Sequence, residues 1–180
     1  MKTIKVTIEG TTPLLMNKFN VQAMMDKSKG KRITKEYDPK IEAEAAAYFS
    51  TDKKSLIIPS NVLYAAILNA ATWYKFQKRS AKQVIAGSLR VTPEEVSLGT
   101  KSYEIDNRAV VIMKARVIKS RPIIKKWKVS FELVYNEKVI TQPELLKPIV
   151  EEAGQRIGLM DYRPQKGGPY GTFKVTKWED

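Results

Sequence analysis

The chain contains neither cysteine nor histidine. The first absence excludes disulfides, thiol nucleophiles and thiolate-held zinc. The second removes the usual acid/base group near neutral pH and the commonest metal ligand. No apolar run is long enough to span a bilayer, and the opening MKTIKVTIEG alternates instead of forming an apolar signal segment, so the expected location is cytoplasmic. What the chain has in excess is positive charge: 32 Lys and Arg against 19 acids, a formal +13 spread over 180 residues. Hydrophobic residues make up 43%, enough for a folded core rather than a basic tail. Such an excess repels itself unless a polyanion offsets it, which makes nucleic acid the leading partner. An anionic membrane is the second candidate, but no long basic amphipathic helix or lipidation signal accompanies the charge. A surface that is simply basic is the third.

Alternation of Ile4, Val6 and Ile8 with polar residues predicts a first strand over 2–9. The stretch from Asn17 to Lys40 holds seven basic residues and three acids with little periodicity. It reads either as a loop or as an arm for nucleic acid carrying Lys27, Lys29, Lys31 and Arg32. A short helix is expected over 41–49, then a strand at 55–58 ended by Pro59. Ser60 is placed to cap a helix with Leu63, Ile67 and Ala70 on one face and Tyr74 one turn on. Its end runs into Lys75, Lys78, Arg79 and Lys82. Cations favour a helix C-terminus for dipole reasons alone, so only their excess argues for phosphate contact.

Over 108–118, Ala109, Val111, Met113, Ala115 and Val117 form one apolar face, opposite Arg108, Lys114 and Arg116. Residues 127–135 alternate again, with Trp127, Val129, Phe131, Leu133 and Tyr135 inward. These two segments predict long antiparallel neighbours with one buried and one partly basic face. Thr141 and Glu144 have capping-box spacing for a helix reaching about Ala153, which Pro148 should bend. A last strand is expected over 170–178. The order approaches β-α-β-β-α-β, an α+β, ferredoxin-like antiparallel sheet with both helices on one face. We expect a single domain over 1–180, with an insertion at about 17–54 and a variable connection at about 77–107.

Five of the nine glycines fall between Gly154 and Gly171, directly before that last strand. Glycine lets the backbone approach a ligand, and successive N–H groups in such a turn can form an anion-binding concavity. Gly167 and Gly168 sit at its centre, Arg156, Arg163 and Lys166 add charge, and Tyr162 and Tyr170 offer faces for bases. The segment enters a strand rather than opening a helix, so it is neither a P-loop nor a dinucleotide fingerprint. The plain alternative is a loop that only turns the chain.

Three segments in this order resemble the RAMP superfamily, which includes the repeated backbone subunits of CRISPR effector complexes. They are Gly10-Thr11-Thr12-Pro13-Leu14-Leu15 after the first strand, Ile57-Ile58-Pro59-Ser60-Asn61-Val62-Leu63 at the first helix, and the glycine-rich segment. The resemblance implies a modified RNA-recognition-motif fold whose copies stack along a single strand into a filament. It also implies a finger or thumb inserted near the N-terminus, here 17–40, and a nucleic-acid backbone held by the first helix and the glycine-rich loop. Other effector-complex subunits then become partners, as they would not for a stand-alone phage or mobile-element relative. The chain departs from the family where Lys-Gly and Arg usually follow the helix opening. It has Tyr64-Ala65 and Leu68-Asn69 there.

Some relatives cleave RNA. Those using histidine are no guide here, but another branch uses an aspartate near the first helix, and Asp26 and Asp38 lie in the comparable insertion. A lone Asp among lysines is more simply a charge partner. Glu42 and Glu44 face different ways on a helix, so no metal or other cofactor is expected. The expectation is a non-enzymatic binder of single-stranded RNA or DNA with little base readout. The alternatives are an Asp-dependent endoribonuclease and a structural basic ribonucleoprotein component.

Overall fold

The computed structural model describes residues 1–19, 25, 37–112 and 114–180. In chain order the elements are β1 (Lys2–Gly10), β2 (Leu14–Leu15), α1 (Pro39–Ala46), β3 (Ile57–Pro59), α2 (Ser60–Ala70), β4 (Lys75–Phe76), β5 (Arg79–Ser80), α3 (Ala81–Ala86), β6 (Leu89–Thr92), β7 (Glu95–Ser97), β8 (Glu104–Ile112), β9 (Ala115–Ile124), β10 (Lys128–Tyr135), α4 (Leu146–Glu152) and β11 (Phe173–Glu179). The fold is α+β. Its main sheet has the order β11-β1-β10-β6, with every neighbouring pair antiparallel.

Alternation explains the sheet. Ile4, Val6 and Ile8 of β1, Val129, Phe131 and Leu133 of β10, and Leu89 and Val91 of β6 are all buried. They join one core with Leu63, Ile67 and Ala70 of α2 and Leu146, Ile149 and Val150 of α4, so both helices cover the same sheet face. On the open face Lys5 lies opposite Glu132, and Glu9 opposite Lys128 and Lys174. Cross-strand pairs of opposite sign balance much of that surface.

The apolar stretch at 108–118 differs from its reading as a single inward strand. It contains the turn of a β8–β9 hairpin, with Lys114 at φ 68°. The ribbon pairs with β2 and not with β10, and α1 packs against its base, where the Glu42 carboxylate accepts the Ser120 amide at 2.7 Å. Val111 is consequently 69% exposed and Ile118 60%. The same substitution should thus give opposite results at two valines. Val111→Thr is expected to change stability by no more than about 0.5 kcal/mol, while Val129→Thr, which buries a hydroxyl in the core, should cost about 1–3 kcal/mol. Urea unfolding of the two variants checks this.

Helix boundaries also depart from the capping signals. Ser60 is the first residue of α2, not its cap, and makes no capping hydrogen bond. A 3-10 turn at Ala71–Trp73 ends the helix, so Lys75, Lys78 and Arg79 fall on the small β4–β5 hairpin rather than on a helical end. Thr141 and Glu144 do not form the capping box. A 3-10 turn at Pro143–Leu145 precedes α4. Pro148 is the third residue of α4, where the backbone N–H has no intrahelical acceptor to lose.

Candidate nucleic-acid interface

The stripe Asn61, Ala65 and Asn69 repeats every four residues along α2, on the side turned away from Leu63, Ile67 and Ala70. Facing it is the chain that leaves α4. There the helix widens into a π turn, Ala153–Ile157, because a Cβ on Gly154 would lie 2.2 Å from the Phe173 carbonyl oxygen and the backbone presses directly on β11. Between the two runs a groove of about 390 Å³, with Asp161 and Arg163 on its loop wall and Asn17 and Tyr48 beside them. It adjoins a second hollow of about 320 Å³ bounded by Thr72, Trp73 and Arg156, and both are lined by Asn69, Ile157 and Gln165.

The groove is furnished with neutral hydrogen-bonding groups. Among the described residues the side-chain amides of Asn17, Asn61 and Asn69 have no internal partner. Burial, and to a lesser extent the charge of Asp161, pushes the Tyr48 phenol above its usual range, so it stays a neutral donor. Asp161 is itself matched by Arg121, whose Nη1 stands 2.8 Å from Oδ2.

The glycines of the loop do not offer their amides to a ligand as its composition suggested. The amides of Gly168, Tyr170 and Gly171 donate to the carbonyls of Arg163, Tyr162 and Pro13, and that of Leu159 to Gly171. The glycines are there for space. A Cβ on Gly168 would sit 1.9 Å from the Tyr162 carbonyl oxygen, and one on Gly171, at φ 73°, 2.0 Å from that of Leu159. Gly167 also has positive φ, at 73°, but open surroundings.

The candidate cations separate into free and engaged groups. Arg163 donates to the Met160 carbonyl and to Gln165, and has no carboxylate partner among the described residues. Lys166, Lys75, Lys78 and Arg79 are exposed, again without a carboxylate partner among the described residues. Arg108 is instead held by both Asp106 oxygens, at 2.6 and 2.8 Å, and by the Tyr170 hydroxyl at 2.7 Å. The Asp106 bonds first, and then Tyr170, raise its already high pKa further. Arg156 pairs with Glu152 at 3.0 Å and covers the Trp73 ring at 4.0 Å from its centroid. Tyr162 and Tyr170 meet edge to face, 6.0 Å apart. Lys114 and Arg116 are exposed at the tip of the β8–β9 ribbon, joined to the groove by no hydrogen bond or ion pair among the described residues. Asp38 caps α1, accepting the Lys40 amide at 2.8 Å. Asp26, Lys27, Lys29, Lys31 and Arg32 lie outside the described residues.

Beneath the loop, Asp161, Arg121, Asp106, Arg108 and Tyr170 form a continuous polar chain linking it to the β8–β9 ribbon. Neither this chain nor the roles of Trp73, Tyr48 and Gln165 had a motif to announce them. Asn69 of the stripe falls where the sequence departs from the superfamily pattern it resembles, a departure that by itself did not point to a groove.

No family model matches the chain, and no curated protein does. The fold does match a chain in the cryo-EM structure of the Type III-B Cmr-beta bound to cognate target RNA. The identity is 12% and the TM-score 0.58, over 98% of this chain and 59% of that one. At that identity the likeness is one of fold, and this chain spans about three fifths of the length of the chain it matches.

Proposed function

We propose that this protein binds single-stranded nucleic acid, RNA foremost, along the groove between α2 and the glycine-rich loop. The groove itself carries the reading: amides without a partner among the described residues line it, while Arg163 and Lys166, cations with no carboxylate partner among the described residues, belong to its loop wall or follow it. Fold likeness to a chain of an RNA-bound assembly supports RNA as the partner. The net charge of +13 supports contact through phosphates. We read the main sheet, on its strand order and one-sided helices, as the ferredoxin-like core of a RAMP-type subunit. Copies of such a subunit would sit side by side on the strand, with other effector-complex components as further partners. We propose binding without cleavage, a reading supported for one of the two candidate aspartates, Asp38, by its use as a helix cap; the other, Asp26, lies outside the described residues.

Arg163→Ala combined with Lys166→Ala is expected to weaken binding about tenfold, and about equally for unrelated single-stranded sequences, because phosphate contacts carry no sequence information. Fluorescence anisotropy with labelled RNA and DNA strands measures this, and unchanged affinity would remove the loop from the site. Imaging the complexes should show assemblies that lengthen with the strand, whereas a one-to-one complex on long strands would exclude side-by-side packing.

A further inference from the structure

Trp73 is 50% exposed, although the indole is the side chain with most to gain from burial. It lies where α2 gives way to the 3-10 turn, with the Arg156 guanidinium over its ring at 4.0 Å from the centroid. Glu152, one turn before Arg156, holds that guanidinium at 3.0 Å. The ion pair has two effects. It holds the Arg156 guanidinium over the ring, and it matches the charge that a phosphate would otherwise seek. What this leaves at the hollow is a half-exposed indole and guanidinium surface flanked by the Asn69 amide and by Gln165, whose Oε1 accepts from Arg163 and whose NH2 remains to donate. Flat π surfaces take the faces of bases, and amides can both donate to and accept from base edges.

We propose that the open surface of the Trp73–Arg156 stack, with Asn69 and Gln165 beside it, is a subsite for one unstacked nucleobase of the bound strand. This rests on the single-strand reading above and adds to it a contact that phosphates cannot supply. The stack holds the base face, while exposed cations such as those of the loop and of the β4–β5 hairpin hold the phosphates of the strand. Because every base has a π face, the subsite tolerates any sequence.

The test uses the full chain and short oligonucleotides, rU and dT oligomers beside an abasic oligomer of equal length and charge. Trp73→Ala is expected to weaken binding of the base-bearing strands roughly tenfold or more, and to leave the abasic strand unaffected. Trp73→Phe, which keeps a stacking ring, should recover most of the loss. If Trp73→Ala weakens base-bearing and abasic strands alike, or neither, the subsite is refuted while single-strand binding stands. If uridine monophosphate binds as tightly per base as the oligomer, the strand-bound assignment is overturned in favour of free nucleotide. If the unaltered protein binds no single strand at all, the proposed function fails and the subsite with it.

Discussion

An Arg121→Met variant is expected to unfold about 3 kcal/mol more easily than the unaltered protein, near the lower end of what breaking a buried ion pair costs. The Arg121 side chain is 7% exposed and serves two carboxylates, Asp161 at 2.8 Å and Asp106 at 3.4 Å. Methionine fills much of the same volume, so the loss is not chiefly a cavity. It comes from leaving the carboxylates behind in poorly hydrated surroundings. Two features moderate the loss. Asp106 keeps its two bonds to Arg108, and Asp161 is one-third exposed and can hydrate. The Arg121 Nε is, besides, buried without a partner among the described residues, so the native pair is already short of full compensation. Adding Asp161→Asn to Arg121→Met should therefore recover 1 kcal/mol or more of the loss, roughly, because the orphaned charge disappears. Urea unfolding of the two single variants and the double one measures the coupling, and strictly additive losses would show that the pair is not the source.

That dependence was not readable from residue types, for a definite reason. An arginine followed by proline on a basic chain looks like surface, and only the pairing of β2 with β9 brings Arg121 beneath the glycine-rich loop. The strands β1 and β10 were legible because one face is buried and one is wet, which enforces alternation. The same periodicity misled at 108–118. Nothing in the sequence around Lys114 signals a turn: there is no glycine, asparagine or proline over 109–119, and Lys114 nevertheless takes positive φ. Valines with period two were read as core, whereas on a free ribbon they reach solvent on both sides. The clustered glycines marked the loop that walls the proposed groove, but they are there for a different cause. They let the loop pack against Tyr162 and Leu159, and the amides of Gly167, Gly168 and Gly171 are already taken by backbone carbonyls. Trp73 carried no signal, because a tryptophan after an amphipathic helix is by default a core residue.

Salt should act on this protein through the cations that the fold leaves unmatched, rather than through its full net charge. Five of the groove and hairpin candidates have no carboxylate partner among the described residues: Arg163, Lys166, Lys75, Lys78 and Arg79. If each releases one condensed counterion on a single strand, log affinity should fall against log salt with a slope of about −3.5. Between 50 and 200 mM salt that is about a hundredfold loss, the largest effect expected of any change in conditions. Replacing Lys75, Lys78 and Arg79 together by alanine should flatten the slope by about 2. Replacing the pair Glu152 and Arg156 together by glutamine should leave the slope where it was, because that pair is neutral as a unit, while lowering affinity at every salt concentration through the loss of the stacked surface. Anisotropy titrations across a salt series distinguish the two behaviours. A slope unchanged by the triple alanine variant would move the phosphate track off the β4–β5 hairpin. A slope flattened by the glutamine pair would make Arg156 a phosphate ligand after all.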